Sequence, residues 1–286
     1  MLKTTLLMGL MTALLLVIGD YVGGTNGMAV MLLISILSNM FIYWNSDKIV
    51  ISQYGAQEVN KEMAPGLWNI VEALTRRAGL PMPRVCIIDS RVPNAFATGR
   101  NPEHAAVCVT TGLMDILTPR ELSGVLGHEL SHIRHNDILI GTIAAGMAGL
   151  ISYLSRFLLF FGGRRDRDDG GGLGGLFLVV LTPLMAAIIQ LAVSRTREYM
   201  ADESGGELCG DPDALADALA KIESIQSVHT MPNATENTAH LFIISPFSAR
   251  DAKALFSTHP ATEDRIERLR KQAAAMRAAG KIDPVA

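Results

Sequence analysis

Cysteine is nearly missing from this chain. Its 286 residues include only Cys86, Cys108 and Cys209, which are scattered, odd in number and without metal-ligand spacing. That argues against a disulfide framework and against a cysteine-held metal site, and it fits a reducing compartment with three buried, inert thiols. Charge is scarce too. Charged residues make up 19% of the chain, where a soluble domain usually carries about 25%. The formal net charge is -3, and no basic face stands out, which argues against nucleic acid as a partner. There is no internal repeat. What fills the gap is apolar sequence: 49% hydrophobic residues and a mean hydropathy of +0.27. Part of such a chain belongs in lipid, and the length allows one domain plus an anchor.

The apolar residues are concentrated in runs. Thr4 to Gly19 is uncharged behind Lys3, and Met28 to Trp44 is broken only by Ser35, Ser38 and Asn39. Each approaches the roughly 17–25 residues of a spanning helix. A cleaved signal peptide is the rival reading of the first run. Against it stand the single Lys3, the lack of a small-x-small site before Asp20 and the second run that follows at once. Residues 1–45 therefore read as a transmembrane helical hairpin. Its loop, Asp20–Gly27, has no Lys or Arg, whereas Lys3 and Lys48 flank the pair. The positive-inside rule then places the N-terminus and the chain after Trp44 in the cytoplasm. A third run covers Ile138 to Phe161 and a fourth Leu173 to Val193, so 138–193 reads as a second apolar hairpin. The linker between them holds Arg164, Arg165 and Arg167, against the positive-inside expectation. Two further spans are favoured over a packed or partly embedded hairpin. Either way the chain after Val193 returns to the side it left.

Two soluble stretches, 46–137 and 194–286, remain to form one domain. Glu58 to Gly79 has helical periodicity, with Leu67, Ile70, Val71 and Leu74 on one face and Pro81 and Pro83 beyond it. Three short strands follow, Arg84–Asp89, Ala95–Thr98 and Ala105–Thr111, separated by turn residues. Asp211-Pro212 opens a helix with Leu215, Leu219, Ile222 and Ile225 on one face. Glu263 to Lys281 reads as an amphipathic helix, Ile266 and Leu269 inward, with its charges a solvated face. The fold class is mainly α with a small β-sheet (α+β).

The chemistry centres on His128-Glu129-Leu130-Ser131-His132. Thr118-Pro119-Arg120-Glu121 is a strong helix start, with a capping threonine, proline in the first turn and a carboxylate placed to reach back. Leu122, Val125, Leu126, Leu130 and Ile133 form the buried stripe. On that helix His128 and His132 share a face, a spacing that lets both bind one zinc. Glu129 stands one step round, placed to hold a water without being a ligand. A catalytic site needs a third ligand and an open fourth position. Glu198 and Asp202, four residues apart after the fourth apolar run, are the best candidates. Spacing alone does not choose between them, nor exclude Asp137.

The sequence resembles the HtpX-type membrane metalloproteases, related to the integral-membrane CAAX endoproteases. Beyond the N-terminal hairpin, the resemblance rests on Asn94-Ala95-Phe96-Ala97-Thr98-Gly99, Thr111-Gly112-Leu113, Gly127 to His132, Ser194-Arg195-x-Arg197-Glu198-Tyr199-x-Ala201-Asp202 and Ser257-Thr258-His259-Pro260. It implies a gluzincin-like metalloprotease domain attached to transmembrane helices and one zinc ion per subunit. It also implies Glu198 as third ligand, Asp202 supporting a ligand histidine, and His259 and Arg265 facing the zinc. Asn94 and the strand around Ala105–Thr110 would border the cleft. The other histidines, at 104, 135, 229 and 240, read as ordinary surface or core residues.

The reaction class is metal-assisted peptide hydrolysis, with Glu129 as general base and then acid. His259 and Arg265 are the expected oxyanion donors. The substrate backbone is expected to pair with the sheet edge near Val107–Val109. Such pairing favours unfolded segments, consistent with the family's role in stress response and membrane-protein quality control at the bacterial cytoplasmic (inner) membrane, its active site toward the cytoplasm. Two rivals are weaker. A prenyl-peptide protease needs a larger intramembrane chamber than this length builds, and a scaffold with structural zinc needs a fourth protein ligand and has no use for Glu129.

Overall fold

In a computed structural model the described residues are 2–145, 147, 194–226, 243 and 260–285. Helix α1 (Leu2–Gln53) folds back on itself at Gly23 and Gly24, and Gly24 takes φ 57, a value that favours glycine. Beside the turn the two limbs touch backbone to backbone: a Cβ on Gly27 would lie 2.1 Å from the Gly19 carbonyl oxygen. The limbs, Thr4–Tyr21 and Gly23–Gln53, are long and apolar enough to cross a membrane, and only 22% and 11% of their apolar windows are buried. A core helix of a soluble protein would be mostly covered. Here the large side chains Leu33, Phe41 and Trp44 point outward, while polar ones meet between the limbs. Thr12 Oγ1 is 2.7 Å from Ser35 Oγ, and Asn39 Nδ2 donates to Thr12 Oγ1 at 3.1 Å.

A four-stranded sheet follows, built from β1 (Gln57–Val59), β2 (Arg84–Ile88), β3 (Ala95–Gly99) and β4 (Ala105–Thr110) in the order β1-β2-β4-β3. The β2–β4 pair is parallel and the outer pairs are antiparallel. The helix read from Glu58 begins later than its periodicity implies. Glu58 lies in β1, paired with Cys86, and α2 runs Pro65–Ala78. Pro65 supplies a first turn that needs no N–H, and Asn60 Oδ1 accepts from the Met63 amide to make the bend before it.

Among the described residues six more helices follow: α3 (Thr111–Ile116), α4 (Pro119–Arg134), α5 (138–145), α6 (Arg195–Cys209), α7 (Pro212–Gln226) and α8 (Thr262–Ala278). One sheet face, with Val85, Ala97, Val107 and Val109, joins Val71, Leu126, Leu130 and Leu219 in the main core. The other face, with Cys86, Phe96 and Cys108, packs on Val50 from the end of α1 and on Ala145 of α5. All three cysteines are free and buried. The start of the third apolar run leans on the hairpin, Leu139, Ile140 and Ile143 packing with Leu7, Met11 and Ile42. The remainder of that run, apart from Met147, and the fourth run lie outside the described residues.

The charges of α8 are not merely a solvated face. Arg265 is among the most buried side chains, and Arg270 Nη1 donates to Asp213 at 2.7 Å. Asp217 accepts from both Arg270 and Arg120, and Arg120 also reaches Asp211 at 2.7 Å. These pairs bind α8, α7 and the start of α4 together.

Candidate metal centre and active site

The centre is organised by α4. Its first turn carries a complete capping box: Thr118 Oγ1 accepts from the Glu121 amide and Glu121 Oε2 accepts from the Thr118 amide at 2.7 Å. Lys221 of α7 bonds the same carboxylate at 2.6 Å. With its start fixed, α4 presents His128 and His132 one turn apart, their Nε2 atoms 3.2 Å from each other.

A glycine crossing brings the third group to them. A Cβ on Gly127 would lie 2.7 Å from the Gly205 carbonyl oxygen, and one on Gly205 would lie 2.6 Å from the His128 amide nitrogen. Backbones of α4 and α6 therefore touch, and Glu198, two turns before Gly205, reaches the histidines. Its Oε2 is 3.6 Å from His128 Nε2 and its Oε1 3.7 Å from His132 Nε2. His128, His132 and Glu198 offer ligand atoms that all lie within 4.8 Å of one another. Ligands about 2.0–2.1 Å from a tetrahedral metal stand about 3.3 Å apart, so this donor set suits a metal with one position left open.

Around these groups the polar partners are specific. His128 Nδ1 lies 2.9 Å from Asp202 Oδ1, close though not aligned as a hydrogen bond. Arg265 grips Asp202 with two bonds, Nε to Oδ2 at 2.8 Å and Nη2 to Oδ1 at 2.7 Å, and its Nη1 donates to the Ile243 carbonyl at 2.7 Å. The guanidinium thus faces Asp202, and its charge is also felt at His128 and Glu129. Asp137, open as a ligand on spacing alone, lies behind His132, with Oδ2 3.7 Å from Nδ1. Glu129 Oε2 accepts from the Ala97 amide of β3 at 2.9 Å.

These surroundings set the protonation of the metal-free centre. Burial above all pushes the Glu129 carboxyl up to about 7, with Glu198 adding to it and His132 opposing. Burial would lower His132, yet Asp137, Glu198 and Glu129 together carry it up to about 9. Burial wins at His128, which is held below its ordinary value despite Asp202. Burial would raise Asp202, but the Arg265 guanidinium overrides it and holds the carboxyl down to about 2.

The cleft residues read from the sequence are placed differently. Val107 and Val109 are fully buried on β4, whose two sides are paired with β2 and β3. An added strand has no free edge there; among the described residues β3 ends the sheet on this side, with its Ala97 and Gly99 amides bonded to side chains. Asn94 is buried, accepting from the Ile243 amide at 3.1 Å, with its own carbonyl bonded by Thr110. It fastens residue 243 to the sheet. His259 lies outside the described residues. The glycine crossing is the feature the sequence reading passed over. Gly127 and Gly205 inside helices, each costing about 1 kcal/mol against alanine, were its signal.

A family model described as Peptidase family M48 matches residues 62–273. The Protease HtpX homolog of Thermococcus kodakarensis is 52% identical over 280 residues, 96% of this chain and 97% of its own length. That of Paraburkholderia phytofirmans is 50% identical over 277 residues, 95% of this chain and 96% of its own. The crystal structure of Ste24p from S. mikatae shares the fold, with a TM-score of 0.50 at 21% identity, over 91% of this chain and 62% of that one. The chain belongs to peptidase family M48, as a metalloprotease of the HtpX type.

Proposed function

We propose that this metalloprotease is a zinc endopeptidase that works at a membrane surface and cuts unfolded segments of misfolded or damaged membrane proteins. The observation that carries this reading is the convergence of two imidazole nitrogens and one carboxylate, with a buried carboxylic acid beside them. His128, His132 and Glu198 would hold the ion; two histidines and a glutamate with an open position are a donor set that zinc favours. Bound zinc supplies Lewis-acid polarisation and makes water a nucleophile at neutral pH. Glu129 takes the proton of the attacking water and returns it to the leaving amine. In the metal-free centre burial pushes its carboxyl up to about 7. Asp202, held by Arg265, orients His128, and His259 is assigned as the oxyanion donor on the strength of the family motif alone.

The substrate is assigned to the outer edge of β3, in place of Val107 and Val109. The Ala97 amide already points off that edge to Glu129, so a peptide paired there lies beside the base. The outward apolar surface of α1 supports lipid as the surroundings, and the flanking lysines support a cytoplasm-facing site in an inner membrane. Glu129→Gln in the full-length protein is expected to retain zinc and fold while cleavage of a model membrane substrate falls by at least about a hundredfold. Cleavage at the wild-type rate would overturn the mechanism, and chelator-resistant cleavage would overturn the role of the metal.

A further inference from the structure

The two histidines are held from behind in different ways. His128 and Asp202 are packed away, their side chains 1% and 4% exposed, and Arg265 completes that set from α8. His132 has only 17% exposure but its partner set reaches solvent: Asp137 is 16% exposed and Arg197, whose Nη1 donates to Asp137 Oδ1 at 3.0 Å, is 22% exposed. The two arrangements have the same order, histidine, aspartate, arginine.

We infer that Asp137 is a positioning residue for His132, held in place by Arg197; the inference rests on the metallopeptidase reading of the centre. Its backbone is fixed for the task. Asn136 adopts a left-handed φ of 56 just after α4, and the Asp137 amide then donates to the His132 carbonyl at 2.9 Å. This turn swings the aspartate back over the ring. A histidine that gives Nε2 to a metal carries its proton on Nδ1, so the N–H faces Asp137 Oδ2, which stands 3.7 Å away. The other oxygen is taken by Arg197, which precedes Glu198 in the chain. One ion pair between residues 60 apart in sequence therefore joins the neighbours of two ligands, His132 and Glu198. Packing holds His128 in place, whereas on the open side the polar set does most of this work for His132.

Such a set acts on metal binding far more than on folding, because a partly exposed ion pair adds little stability. The test uses the full-length protein in detergent micelles, with zinc affinity measured by competition against a chelator, cobalt-substituted visible spectra and metal-free melting curves. Asp137→Asn is expected to weaken zinc by about 10–100-fold and to change the cobalt spectrum, with the metal-free melting temperature little changed. Arg197→Gln should show a smaller loss of the same kind, and Arg197→Lys should recover most of it; this half-buried position carries the test should the aspartate variant not fold. Wild-type affinity and spectrum in both Asp137→Asn and Arg197→Gln overturn the inference. So does a fall in metal-free melting temperature large enough to account for the lost affinity. Failure of the wild-type protein to bind zinc would instead overturn the metallopeptidase reading.

Discussion

Arg265 is tied to the metal centre chiefly through another side chain. Its guanidinium is buried, doubly bonded to Asp202 and bonded again to the Ile243 carbonyl. Removing one partner of such a pair leaves the other charge buried and alone, which costs about 3–5 kcal/mol. Arg265→Met is therefore expected to lower unfolding stability by about that amount in chemical denaturation, and to weaken zinc binding through Asp202. A donor that served only the transition state would lower kcat and leave denaturation curves unchanged. Arg265→Lys keeps the charge but loses the two-pronged grip, so it should fall between. The family resemblance placed Asp202 and Arg265 at the centre, but their pairing was not legible in the sequence. Asp202 and Arg265 are 63 residues apart, and an arginine in the first turn of a charged helix looks like any solvated one.

At the level of elements, the crossing of α4 and α6 decides whether a site exists. Gly205→Ala would drive a methyl group against the His128 backbone. Glu198 would then move away from the histidines, so zinc affinity in chelator competition should fall together with melting temperature. The start of α4 gives a pH signature. Burial would raise Glu121, but Lys221 and Thr118 hold it below its ordinary value; burial would raise Asp217, but Arg120 and Arg270 hold it low as well. Carboxyls depressed in the folded state contribute stability that is present above their ordinary range and lost as pH falls through it. Melting temperature should therefore drop as pH is lowered below about 4.5, and Lys221→Met together with Asp217→Asn should flatten that limb. Local elements such as this cap, the strands and the α7 stripe were legible, because their signals lie within a few residues. Strand order was not. It depends on which strand crosses to the outside, and so β4 was read as an edge although among the described residues it lies between β2 and β3.

For the molecule as a whole, the site and the membrane-facing part share β3. The Gly99 amide donates to Thr142 Oγ1 at 3.0 Å, and Thr98 Oγ1 lies 3.0 Å from the same hydroxyl. Thr142 stands on α5, which packs against both limbs of the hairpin through its neighbours. At the same end of β3, Arg100 donates to the Trp44 carbonyl and lies over the Trp44 ring. Thr142→Val should loosen the strand and raise KM for a peptide substrate several-fold, with zinc affinity unchanged in the chelator assay.

The split of the centre across the chain also sets an order of events during synthesis. A nascent chain that has emerged only as far as Arg134 carries both histidines and the Glu129 base, but lacks Glu198, Asp202 and Arg265. Cell-free translation arrested at increasing lengths should yield no chelator-sensitive cleavage until residues beyond Arg265 have emerged. The second apolar segment must leave the ribosome before the last of these residues does. A protease wired in this way is unarmed until its apolar segments have been made.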